Sequence, residues 1–128
     1  MKKLLDTNIF LEILLAQPKA QAAQRFINSQ QQGSLALSNY SLDGIGLKLY
    51  WAKKIDVLEQ FGRELKDAEI TILTIEPQDL GALVKNIKKW NLDFDDAYQY
   101  TLAQKYSLEL VSFDKDFDKT DIVRIEPN

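Results

Sequence analysis

Apolar residues along the chain fall into two periodicities, and the two alternate. Lys2 to Leu5 reads as a short buried strand. Asp6-Thr7-Asn8 then starts a helix over Ile9 to Ala16. Pro18 suits the first turn of a second helix, in which Ala22, Ala23, Phe26 and Ile27 share one face. Asn28 to Ser34, with Gln30-Gln31-Gln32-Gly33, reads as a helix end with a glycine stop. Leu35 to Leu37 is a short strand, and Tyr40 to Lys53 and Ile55 to Lys66 are helices. Ile70 to Ile75 alternates and predicts a central strand. Glu76-Pro77 opens a helix with Leu80, Leu83, Val84 and Ile87 at helical spacing. Asp95 or Asp96 caps another, which runs to about Tyr106 and is apolar nearly all round, so it is expected to be buried. Leu108 to Phe113 is a strand, and Ile122 to Ile125 a short edge strand.

Strands separated by helices imply an α/β protein with a parallel sheet covered on both faces. No internal repeat or linker interrupts the pattern, and 128 residues fit one domain spanning 1–128. In such sheets ligands bind outside the carboxyl ends of the strands.

Composition narrows the chemistry. The chain has no Cys and no His. That excludes disulfides, Cys/His zinc sites, Ser-His-Asp or Cys-His nucleophiles and a histidine general base. A metal here must take oxygen ligands, which favours Mg²⁺, Mn²⁺ or Ca²⁺. A net charge of −3 excludes a strongly basic nucleic-acid coat, but not a local basic patch. Asp6 stops the N-terminal apolar run, and there is no apolar stretch of membrane-spanning length. The expectation is a cytoplasmic protein without a secretory leader or membrane span.

Carboxylates collect where strands should end. Asp6 follows the first strand, Asp114 and Asp116 follow the strand ending at Phe113, and Asp95 and Asp96 open the buried helix. Residues 93–121 hold eight of the 19 acids. Each segment alone also makes a good cap or turn. Asp114-Lys115-Asp116-Phe117-Asp118 is not a calcium loop of the EF-hand kind. Lys119 stands where that loop needs Gly, and Ile125 where it needs Glu. Together the three segments favour one shared site. Two carboxylates about 4 Å apart repel by about 4 kcal/mol at an effective dielectric of 20. A divalent ion removes that cost, lowers the pKa of bound water, and clamps the attacking and leaving oxygens of a phosphodiester.

Leu4-Leu5-Asp6-Thr7-Asn8-Ile9-Phe10-Leu11, then Asp95-Asp96-Ala97, then Leu110-Val111-Ser112-Phe113-Asp114-Lys115-Asp116-Phe117 resemble, in order and spacing, the motifs of a PIN domain. The whole chain resembles the small PIN proteins of the VapC type. The resemblance implies a three-layer α/β/α sandwich and a Mg²⁺- or Mn²⁺-dependent ribonuclease, the toxin of a toxin–antitoxin pair. It implies catalytic and metal roles for Asp6, Asp96 and Asp114, with Asp116 sharing the metal. Thr7, Asn8 and Ser112 match polar neighbours that orient acids or water. It further implies an RNA substrate, an antitoxin partner and a homodimer. One position departs from the pattern: the family's second acid, a Glu, falls on Gly44. Asp43 is adjacent, but one helical residue is a turn of about 100°. Asp43 remains a candidate metal ligand, and the alternative is a degenerate PIN domain that binds RNA or protein without cleaving.

Lys85, Lys88 and Lys89 lie on one helical side beside Trp90, and Lys48, Lys53 and Lys54 accompany Tyr50 and Trp51. Either group can hold phosphates or simply be a wet helix face. Lys115 and Lys119 are candidate counterions for the acids in the absence of metal. A phosphatase or receiver-like protein built on Asp6 is a third reading. The dehalogenase-type phosphatase signature is broken by Asn8, two residues after Asp6, and Lys115 is a poor receiver lysine.

Overall fold

The structure is a computed structural model that describes residues 2–128. Its layering follows from two adjacent leucines. Strand β1 (Lys3–Leu5) buries Leu4 and Leu5 completely, and successive strand side chains point to opposite faces. Leu5 packs with Leu35, Leu37 and Val111 under the first four helices. Leu4 packs with Ala36 and Leu110 on the other side, against Leu83, Ala97, Tyr100 and Phe117. The sheet is therefore covered on both faces. Fully burying a leucine contributes roughly 1.5–3 kcal/mol relative to leaving it exposed.

The order of elements is β1, α1 (Thr7–Leu14), α2 (Ala20–Asn28), β2 (Leu35–Ser38), α3 (Asn39–Trp51), α4 (Ile55–Asp67), β3 (Thr71–Leu73), α5 (Leu80–Trp90), α6 (Phe94–Tyr106), β4 (Glu109–Val111) and β5 (Arg124–Ile125). A 3₁₀ turn, Pro77–Asp79, precedes α5, and another, Lys115–Lys119, follows β4. All four pairings are parallel, in the order β3-β2-β1-β4-β5. This is a single five-stranded sheet flanked by helices, the three-layer α/β/α arrangement.

Three expectations need correction. The strand at Ile70 to Ile75 is not central. It shrinks to Thr71–Leu73 and forms one edge of the sheet, with Ile72 exposed. Only β2 pairs with it, and none of its three residues is buried, unlike the wholly buried Leu35–Ser38, as expected of an edge rather than a central parallel strand. Pro18 stands two residues before α2 rather than in its first turn, because the helix begins at Ala20. Neither Asp95 nor Asp96 caps α6. Asp93 does, its side chain accepting from the Asp96 amide at 2.9 Å. That releases the Asp96 carboxylate for other work.

Register places the site. Leu5 pairs with Leu37 on one side and with Val111 on the other. The next residues, Asp6, Ser38 and Ser112, therefore emerge together at the carboxyl edge. The Asp6 amide donates to the Val111 carbonyl at 2.9 Å, closing the ladder there. Helix α6 feeds β4 through Ser107 and Leu108, so its C-terminus lies at the amino edge of the sheet. Its N-terminus, with Asp96, returns to the carboxyl edge.

Candidate metal centre

Asp6 has two tasks. As N-cap of α1 its Oδ1 accepts from the Thr7 amide at 2.8 Å. Its Oδ2 accepts from the Ser112 hydroxyl at 2.6 Å and from Asn8 Nδ2 at 3.3 Å. The Ser112 Oγ in turn accepts from Asn8 Nδ2 at 3.3 Å and from the Asp114 amide at 2.9 Å. Asn8 Oδ1 accepts from the Phe113 amide at 3.3 Å. Thus Asn8 and the fully buried Ser112 lock the end of β1 to the loop that carries Asp114. Asp114 Oδ1 then accepts from the Asp116 amide at 2.9 Å and caps the 3₁₀ turn.

The result is a converging set of acids. Ligand oxygens of Asp96, Asp114 and Asp116 lie within 4.8 Å of one another. Asp6 joins electrostatically. Burial, opposed by its hydrogen bonds and assisted by the charges of Asp114 and Asp95, pushes its pKa up to about 6. Burial and then the charges of Asp114, Asp93 and Asp6 push Asp96 up to about 8. Among the described residues, none of these four carboxylates forms an ion pair. Neither lysine expected as a counterion forms an ion pair with these acids among the described residues. Lys119 Nζ donates to the Asn91 carbonyl at 2.7 Å, and the Lys115 charge acts on Asp118 and Glu126. A hard, all-oxygen, cation-free set of this kind fits a divalent ion such as Mg²⁺ or Mn²⁺. The N-terminal dipoles of α1 and α6 also favour negative charge here, within the first turn of each helix.

Thr7 faces a second polar group. Its hydroxyl is 2.7 Å from Ser41 Oγ. Ser41 Oγ also accepts from Ser38 Oγ at 2.9 Å and from Gln99 Nε2 at 2.6 Å. Ser38, Ser41 and Gln99 are buried, and Gln99 Oε1 has no partner among the described residues. Sequence reasoning missed all three, since a serine after a strand and a glutamine in a buried helix look ordinary. The only available signal was polarity: Gln99 and Thr101 interrupt a helix otherwise apolar nearly all round.

Asp43 is not among the acids whose ligand oxygens converge. It is exposed on α3 and accepts from Asn39 Nδ2 at 3.3 Å. Gly44 is helical, and a Cβ built there would meet nothing within 4 Å. Lys85, Lys88 and Lys89 are exposed on α5, with the Lys89 ammonium 4.9 Å from the Trp90 ring centroid. Tyr50 and Trp51 are exposed at the end of α3.

The comparisons with known proteins agree with this architecture. The VapC20 toxin of Mycobacterium tuberculosis, described as cleaving the sarcin-ricin loop, superposes with a TM-score of 0.83 at 14% identity, covering 98% of this chain and 100% of that one. FitAcB from Neisseria gonorrhoeae gives 0.73 at 22% identity, covering 95% of each chain. A toxin–antitoxin complex from Klebsiella pneumoniae gives 0.73 at 20%, covering 91% of this chain and 90% of that one. No curated protein matches the chain by sequence. The family model for the PIN domain matches residues 3–123, nearly the whole chain, and the protein belongs to the PIN domain family.

Proposed function

We propose that this PIN domain is a divalent-metal-dependent ribonuclease and the toxin of a toxin–antitoxin pair, working in the cytoplasm. One observation carries the reading: acids from three separate segments converge at the carboxyl edge of the sheet with no cation of the protein's own. Asp6, Asp96, Asp114 and Asp116 would hold Mg²⁺ or Mn²⁺. Such an ion supplies charge to phosphodiester oxygens and a lowered pKa to water.

The chain's own residues do the positioning. Ser112 and Asn8 fix the orientation of the Asp6 carboxylate. The Asp93 cap holds the first turn of α6, and with it Asp96. Thr7 and its hydroxyl partner Ser41 border Asp6 on the other side. Lys85, Lys88 and Lys89 form an exposed basic face suited to an RNA backbone. The Klebsiella pneumoniae structure of the same fold is a toxin–antitoxin complex, and we extend to this chain an antitoxin partner and a homodimer.

The test is cleavage of RNA by purified protein with Mn²⁺, run beside Asp96→Asn. The expected result is cleavage by the wild type and none by the variant. Equal results from both proteins would remove the enzyme reading. A second reading, a PIN domain that binds RNA or protein without cutting, has one observation in its favour: Gly44 supplies no side chain at the position of the family's second acid, and the neighbouring Asp43 accepts from Asn39. It predicts weak divalent-ion binding by calorimetry, and micromolar Mn²⁺ binding that disappears in Asp6→Asn would count against it.

A further inference from the structure

Helices α1, α3 and α6 meet beside the acids on a run of hydrogen bonds. Helix α6 carries Asp96 and, one turn on and on the same face, Gln99. Gln99 is 1% exposed, and its Nε2 donates to Ser41 Oγ on α3 at 2.6 Å. Ser38 Oγ donates to the same oxygen at 2.9 Å. A serine hydroxyl has one hydrogen and two lone pairs. With both lone pairs taken, the Ser41 hydrogen is left for Thr7 Oγ1, 2.7 Å away on the residue after Asp6. Each link therefore has one direction, from the helix that carries Asp96 to the helix that Asp6 caps.

The run has a cost. Gln99 Oε1 is buried without a partner among the described residues, and an open buried acceptor destabilises a fold. An apolar side chain of the same length fills such a place without that penalty, so stability alone does not account for a glutamine here. Helix α3 also adds no carboxylate to the converging set: Gly44 has no side chain, and Asp43 bonds to Asn39. We infer that Gln99 is a positioning residue of the metal centre, which acts through Ser41 and Thr7 to fix Asp96 relative to Asp6. Hydrogen bonds thereby tie α3 to the acid-bearing helices, as a carboxylate on α3 would do through an ion. The inference rests on the metal centre of the ribonuclease reading and adds the residue that sets its geometry.

The test is calorimetric titration of the full chain with Mn²⁺, beside melting in EDTA and cleavage of RNA. Gln99→Met keeps the length of the side chain and removes both the donor and the open acceptor. It should bind Mn²⁺ about tenfold more weakly than wild type, yet melt no lower in EDTA. Gln99→Leu is the second variant, should methionine disturb folding. Thr7→Val should weaken Mn²⁺ binding to a similar degree, and Thr7→Ser, which keeps the hydroxyl, should preserve it. Gln99→Met combined with Thr7→Val should bind no more weakly than Gln99→Met alone, because the two residues act through one run of bonds. Excess Mn²⁺ should return cleavage to Gln99→Met. Unchanged affinity in the Gln99 variants, with or without a lower midpoint, overturns the inference. Additive losses in the double variant, or no Mn²⁺ binding by the wild type, would do the same. Cleavage by the wild type with affinity indifferent to residue 99 removes the positioning role and leaves the ribonuclease. Affinity that depends on residue 99 without cleavage by any of the proteins removes the ribonuclease and leaves the positioning role.

Discussion

Two groups of acids in this molecule have opposite electrostatics. Around the 3₁₀ turn before α5, Asp79 meets Lys105 Nζ at 2.8 Å, and the lysine holds its carboxyl below the usual carboxylate range. Near β5, Arg124 meets Asp118 at 2.8 Å and Glu126 at 2.7 Å, and both acids are again held low. At the carboxyl edge, Asp6 and Asp96 are buried among further acids and held high. The first kind of acid has a partner built into the chain. The second has none, and a protein that keeps such a group must obtain its cation from solution or protonate it. Ion pairs that keep at least one partner in solvent, as Asp118 and Glu126 do beside Arg124, contribute modestly to stability. The comparison therefore separates surface ornament from a site.

The largest expected effect is on cleavage. Asp96→Asn should lower Mn²⁺-dependent RNA cleavage by more than about a hundredfold, beyond what loss of an outer partner usually costs. A gel assay with labelled RNA checks this. Ser112→Ala comes next, because Ser112 orients Asp6 without belonging to the acid group. Its Mn²⁺ affinity, read by calorimetry, should fall about ten- to a hundredfold. Gly44→Glu should act in the opposite direction. There is room for its Cβ, and an added carboxylate near the site should tighten Mn²⁺ binding, whereas Gly44→Gln should not. Equal affinities for the two variants would show that position 44 does not reach the ion.

The two groups also differ in the sign of their pH dependence. Asp79, Asp118 and Glu126 have depressed pKa values, so their contribution is present above the ordinary carboxylate range and is lost as pH falls through the depressed values. For Asp6 and Asp96 the folded state holds protons more tightly than the unfolded chain. In EDTA the stability they confer is full below the ordinary carboxylate pKa. It is lost as pH rises towards about 6 for Asp6 and about 8 for Asp96. Chemical denaturation in EDTA between pH 5 and 8 should show a decline in the wild type that is shallower in Asp96→Asn. The smallest effect belongs to Lys105→Gln, which should move the melting midpoint only slightly at pH 7, since glutamine can still donate to Asp79 and the second partner, Glu76, is exposed.

The fold was readable because burial leaves a pattern. Leu4-Leu5 and Leu35-Ala36-Leu37 are apolar on both faces, and both occupy the middle of the sheet. The edge position of Thr71–Leu73 is not legible in its apolar residues, because the exposed one is Ile72 and only the pairing with β2 alone places the strand at the edge. Asp93, Asp95 and Asp96 all have cap chemistry, and only the helix start at Phe94 decides among them. The acids themselves were legible because carboxylates after strand ends are unusual in number and place. Ser41 and Gln99 were not, because each is unremarkable until α3 and α6 bring them 2.6 Å apart. The departure at Gly44 was visible as a missing side chain, but its surroundings were not.

The most direct test of the central claim is thermal melting of wild type and Asp96→Asn together, with EDTA and with millimolar Mn²⁺. A ligand that binds only the folded state raises its midpoint. If the acids form one cation site, Mn²⁺ raises the wild-type midpoint. Asp96→Asn melts higher than wild type in EDTA, by roughly 4 °C if about 1 kcal/mol of repulsion is relieved, and gains little from Mn²⁺. If Mn²⁺ moves neither protein and the variant is no more stable in EDTA, the acids are caps and turns, and the account of a shared metal centre is wrong.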